Sequence, residues 1–350
     1  MSSKLLSKYR TELFGISTIG ILIVHSNDVI QAGGGGTLTE LIRKLFAFGG
    51  IAVYVFVFLS GIGLYFSLSG MNTSSDRNGI LQFYKRRLSR LLMPYLLIAG
   101  SFYAVELLLL DFRPMEFLFR LSTLQFWFQK KGVWFISMLI PLYIVYPFYY
   151  RWVEIGHRLA KTAITVLLIV MVSGAQYAFA PAAYNRLMQV WNSYIVFAIG
   201  HYIGKSVKQE KVFPIALIIF TLLFYPVRAF FPIVKDIAFF GNLGYGLLGI
   251  AMAAIGAKCL DALHVEWFDR LFRSLGKISL ESYLTNHFLI TLFVVFLGIK
   301  QSPLFNVKPY GVIEYMMIVI LGLGGALLCA RLQLKAHAFM SHNNKTKAKG

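Results

Sequence analysis

An all-α polytopic membrane protein, with about ten transmembrane helices in one bundle, is the fold class that three observations predict. Apolar residues make up 57% of the 350 and charged residues only 14%, with a mean hydropathy of +0.66. A soluble domain carries about 25% charged residues. Apolar runs close to the roughly 20 residues that a membrane helix needs recur along the whole chain. Most of the 34 basic residues collect in alternate connecting segments, the pattern that Lys and Arg take on the cytoplasmic side of a membrane.

Run length and periodicity predict spans at 12–32, 46–69, 92–110, 133–150, 162–180, 187–204, 213–231, 240–258, 278–298 and 312–331. An even number of spans with basic inner loops puts both termini in the cytoplasm of a cell (inner) membrane protein. No small-x-small cleavage site follows the first apolar run, so that run reads as a retained helix. Residues 1–340 are expected to form one membrane domain, and the basic tail "SHNNKTKAKG", 341–350, a disordered cytoplasmic end. The outer loop "AGGGGTLTELIRK" opens with four glycines and is expected to be mobile. The net charge of +19 is assigned to anionic lipid headgroups. No basic soluble module exists to bind nucleic acid. Cys259 and Cys329 are too isolated for a disulfide framework, and no metal site is expected.

In the first span, "ILIVHSNDVI" places His25 and Asp28 three residues apart on roughly one helical face. A carboxylate beside an imidazole orients it for general-base work on a hydroxyl. The bland alternatives are a histidine hydrogen-bonded to a neighbouring helix and an aspartate at the outer interface. The second span, "FVFLSGIGLYFSLSG", sets Ser60 and Gly61 near its middle, where small residues serve close helix packing as readily as chemistry. The third span opens on "FYKRRLSRLLMPY", with Pro94 near the expected helix start. Lys85, Arg86, Arg87 and Arg90 are four cations suited either to lipid headgroups or to the phosphates of a nucleotide-bearing cosubstrate. Arg86 and Arg90, four apart, share a face. Trp134 and Phe135 open the fourth span as an interface anchor. In the ninth, "ISLESYLTNHFLI" carries Glu281, Asn286 and His287, so that two histidines on different helices share a depth.

Five fragments in this order, "ELFGISTIGILIVHS", "VFVFLSGIGLYFS", "FYKRRLSRLLMPY", "VWFISMLIPLY" and "GKISLESYLTNHFLI", resemble the acyltransferase-3 family of integral-membrane acyltransferases. The resemblance covers nearly the whole chain. It implies acyl-coenzyme A as cytosolic cosubstrate, acetyl-CoA being the commonest, and a sugar or polysaccharide hydroxyl as acceptor. It puts His25 at the position of the family's proposed catalytic histidine and the Arg-rich segment near the donor's phosphates. Asp28 would orient His25, while Ser60 or His287 would polarise the thioester carbonyl. The family commonly has an arginine eleven residues before this histidine, where this chain has Phe14; Arg10 lies one turn earlier on the same face. At about 1.5 Å per residue, Arg10 stands roughly 22 Å from His25, so the two cannot touch one atom.

The expected activity is therefore transfer of an acyl group, acetyl first, from acyl-CoA to a hydroxyl of an envelope or exported polysaccharide or its lipid-linked precursor. His25 would act as general base or transient acyl carrier. The rival is a proton-coupled secondary transporter using the intramembrane histidines; a scaffolding role in polysaccharide assembly is the third reading. Oligomeric state has no sequence signal.

Overall fold

A computed structural model of the chain describes residues 1–30, 48–70, 77–109, 113–129, 131–227, 230–231, 237–296 and 312–347. Among the described residues the protein is all-helical, apart from one isolated bridge between Ser2 and Val212. The helices are α1 (Lys4–Lys8), α2 (Arg10–Ile30), α3 (Ile51–Ser69), α4 (Arg77–Leu109), α5 (Pro114–Leu121), α6 (Leu124–Gln129) and α7 (Trp134–Glu154). They continue as α8 (Arg158–Phe179), α9 (Pro181–Lys208), α10 (Ile215–Val227), α11 (Ala238–Leu263), α12 (Glu266–Lys277), α13 (Ser279–Phe296) and α14 (Val312–Lys347).

Each expected span falls on one long helix, but the count of ten membrane crossings is not reproduced by length and composition. Five helical stretches are long and apolar enough to cross a membrane among the described residues: Ile51–Ser69, Asn78–Glu106, Arg158–Phe179, Phe239–Leu263 and Met317–Lys335. Ile215–Phe224 is apolar but shorter, and other helices carry polar groups inward. On α9, for example, Asn192, Ser193 and His201 are all fully buried.

Three segments differ from the sequence reading. The third span begins at Arg77, well before its expected start, so Pro94 sits inside α4 rather than at its beginning. A proline costs one backbone hydrogen bond there, which a membrane helix tolerates when neighbours satisfy the freed carbonyl. Residues 266–277, which lie between two expected spans, form α12, whose Phe272 and Gly276 are buried while Trp267 and Arg270 face outward. His264, in the left-handed conformation, separates it from α11. The last helix runs on to Lys347, into the segment expected to be an unstructured tail; Leu332, Gln333, Leu334, Lys335 and Ala336 ahead of that segment are strong helix formers from which the helix continues. The glycine-rich loop at 32–44 lies outside the described residues.

The chain divides into two compact units, each drawn from several stretches of the chain. The first unit comprises Met1–Val24, Lys44–Lys85 and Met138–Lys277. Its core is the contact of α3 with α9. A Cβ added to Gly61 would stand 2.8 Å from the His201 backbone nitrogen, and one on Gly200 would collide with the Phe58 backbone. Both positions must be glycine for these backbones to approach, the small-residue packing that lipid-embedded helices use in place of hydrophobic drive. At the start of the chain, α12 lies against α2, where Glu12, buried, accepts from Arg273 at 2.6 and 2.8 Å. The Glu12 carboxylate holds the Arg273 guanidinium above its ordinary range.

The second unit comprises His25–Arg43, Arg86–Ser137 and Ile278–Gly350. Here α13 packs on α14: the Thr285 hydroxyl donates to the Gly322 carbonyl at 2.7 Å. On α4, the rings of Phe102 and Tyr103 pack on Phe288 with centroids 4.8 and 5.4 Å away. Arg120 of α5 ties back to Glu106 of α4 at 2.7 Å.

Candidate active site

The second unit brings the two expected histidines into one cluster. His25 sits in the last third of α2, partly exposed, and its Nδ1 lies 2.9 Å from Oδ1 of Asn286 on α13. An amide oxygen only accepts, so Nδ1 carries the proton and Nε2 keeps its lone pair. That is the tautomer a general base needs at its free nitrogen. Tyr283 and His287 flank the contact. The Tyr283 ring centroid is 6.3 Å from that of His25 and 6.3 Å from that of His287. The two imidazoles are close enough to interact electrostatically. Phe135, from the start of α7, closes one side edge-on to Tyr283 at 5.8 Å, with Trp134 beside it.

Helical period explains why α13 can do this. Tyr283, Asn286 and His287 are spaced three and four residues from one another, which places all three on one face. The sequence reading compared His287 with Glu281, six residues away, and passed over this triplet. The signal was in "YLTNH", but only a contact 261 residues back along the chain identifies which helix the face addresses.

The basic segment lies on continuous helix in α4. Arg86 and Arg90 are exposed and Arg87 partly so. Arg90 is within electrostatic reach of Glu281, a buried carboxylate at the start of α13 that accepts from Gln333 at 3.2 Å. Lys85, one residue before Arg86, is exposed and counts with the first unit.

Ser60 and Arg10 belong to the first unit. Asp28 is in α2, but its side chain lies outside the described residues. Among the described residues, the group hydrogen-bonded to His25 is the Asn286 amide. Ser60 is partly buried on α3 in the first unit. Arg10, also in the first unit, holds its guanidinium against α3, where a Cβ on Gly63 would meet Nη1 at 2.8 Å. Phe14, at the position where arginine is common, stacks on Phe56 with centroids 4.9 Å apart and planes 8° from parallel. That contact is apolar. No group of acidic, histidine and cysteine side chains suited to a metal ion occurs among the described residues.

The first unit holds one polar cluster that sequence reading did not single out. His201 of α9 is fully buried, its Nδ1 3.0 Å from the Tyr146 hydroxyl and its Nε2 3.8 Å from Glu154. The rings of Tyr65, Tyr149 and Tyr150 surround it at 5.0–5.9 Å. Arg158 Nε donates to Glu154 at 2.6 Å. Tyrosines spaced along α7 and a histidine on α9 carry no local motif, and only their packing makes them a group.

The family model for the acyltransferase domain matches residues 15–331. The chain belongs to the acyltransferase-3 family. Membership supports acyl transfer as the general activity and, with the apolar helices, makes this a membrane protein. No curated protein and no solved structure matches the chain.

Proposed function

We propose that this acyltransferase-3 protein transfers an acyl group, acetyl in the first instance, from cytosolic acyl-CoA to a hydroxyl acceptor. The acceptor is a sugar of an envelope or exported polysaccharide, or its lipid-linked precursor. The protein sits in the cell membrane with both termini cytoplasmic. The observation that carries the reading is the His25–Asn286 bond, which leaves Nε2 of a partly exposed imidazole basic. Nε2 accepts the proton of the acceptor hydroxyl as its oxygen bonds to the thioester carbon; the tetrahedral adduct then expels the coenzyme A thiolate, which takes that proton from Nε2. A transient acyl-imidazole on Nε2 is the alternative route through the same nitrogen. Arg86, Arg87 and Arg90 bind the donor's phosphates, with Lys85 and Arg10 as further cations.

The test is made on protein purified in detergent: acetyl-CoA binding and release of free thiol by wild type and by His25→Ala. Binding by both with turnover by wild type alone is expected. Wild-type protein that is folded and binds no acetyl-CoA would give way to a proton-coupled transporter, with His25 and His287 as its proton-carrying pair.

A further inference from the structure

The amide that holds His25 has a second end. Asn286 is fully buried, and while its Oδ1 is committed to His25, its Nδ2 has no hydrogen-bond partner among the described residues. One turn earlier, on the same face of α13, the Ser282 hydroxyl is likewise buried without a partner among the described residues. Buried polar groups in native proteins are nearly always satisfied, and an exception calls for a ligand, an ion or a catalytic role. Here one such exception lies on the side chain hydrogen-bonded to the proposed base.

We infer that Asn286 is a catalytic residue: its Nδ2–H donates to the carbonyl oxygen of the acyl thioester and stabilises the oxyanion that forms there. This rests on the acyl-transfer reading of His25 and adds the electrophilic half of the same site. The acceptor hydroxyl oxygen bonds to the thioester carbon as its proton passes to His25 Nε2. The carbonyl π pair moves onto oxygen, beside the Asn286 Nδ2–H. When the pair returns, the carbon–sulfur bond breaks, and the thiolate takes the proton from Nε2–H. Thioester and alcohol become ester and thiol, with no further reactant. A donor already fixed in a water-poor site needs no reorganisation as charge develops, which is why such donors act on turnover. The sequence-level assignment of this role to Ser60 or His287 is replaced by a group one residue from His287.

The discriminating variant is Asn286→Asp. It keeps shape and the acceptor facing His25 Nδ1 but removes the donor and brings negative charge to where the oxyanion forms. Thiol release from acetyl-CoA, with water as acceptor, is measured for wild type, His25→Ala and Asn286→Asp, together with thermal melting in detergent. Asn286→Asp is expected to lower kcat about 100-fold with the acetyl-CoA KM nearly unchanged. A kcat within about threefold of wild type, with His25→Ala inactive, overturns the donor role and leaves the acyl-transfer reading standing. A wild-type protein that releases no thiol overturns both. If Asn286→Asp does not fold, Asn286→Ala is compared with wild type for binding acetyl-CoA and the thioether analogue that lacks the carbonyl oxygen. Wild type is expected to prefer the thioester and Asn286→Ala to bind the two alike; a preference kept by Asn286→Ala overturns the inference.

Discussion

Nδ1 of His25 and Oδ1 of Asn286 lie 2.9 Å apart across 261 residues of chain. The contact joins the end of α2 to the middle of α13, and it decides which imidazole nitrogen is basic. Removing the imidazole should therefore cost turnover and little stability, because His25 is partly exposed and makes one hydrogen bond among the described residues. His25→Ala is expected to lower kcat for thiol release from acetyl-CoA by at least about 100-fold. Its melting temperature in detergent should stay within a few degrees of wild type.

The arginines of α4 act on binding. Truncating Arg86 or Arg90 removes a charged partner of a phosphate, worth about 10-fold or more in affinity. Each alanine variant is expected to raise the acetyl-CoA KM by that order with kcat kept. The same substitutions should leave the KM of acetyl-pantetheine, which has no nucleotide phosphates, unchanged. Equal effects on both donors would point to a structural role beside Glu281.

Gly200 is tested by stability. A Cβ there meets the Phe58 backbone, which cannot move aside as a flexible side chain would. Gly200→Val should force α9 off α3 and cost about 1–3 kcal/mol. The readout is thermal melting and the yield of detergent-stable protein; a melting curve like wild type would refute the close contact.

Glu12 and Arg273 form the ion pair that fixes α12 on α2. Arg273→Ala leaves the buried Glu12 carboxylate without its cation. The expected loss is about 1–3 kcal/mol, less than for a wholly buried pair because half of the Arg273 side chain is exposed. Adding Glu12→Gln should recover most of it. A double variant no better than the single one would mean that packing of the arginine stem, and not its charge, holds α12.

Tyr146 donates a different kind of support. Its hydroxyl meets His201 Nδ1 at 3.0 Å inside a fully buried cluster. Tyr146→Phe leaves that nitrogen unsatisfied and is expected to cost about 1–3 kcal/mol of stability in detergent. Wild-type melting of this variant would show that the hydroxyl contributes nothing.

The helical class, the membrane character and the family were legible in the sequence, because run length, charge placement and short motifs are local properties; the count of ten spans was not reproduced. His25 was legible for the same reason: an ionisable group in an apolar run is conspicuous wherever the run lies. Pro94 misled, since a proline marks a boundary in isolation yet sits inside α4, where the surrounding chain accommodates it. One partner of His25 was not legible: the sequence drew attention to Asp28, three residues away, whereas the observed hydrogen bond is made to a neutral amide on another helix. Asn286 and the tyrosine cage around His201 carry no signal of their own. They became groups only when helices far apart in the chain were packed together. What the sequence determined alone is which segments are helical and which polar residues they carry into apolar surroundings. Which of those residues meet was decided by tertiary structure, because helix packing selects one face of each helix and a polar group in that face must find its partner there.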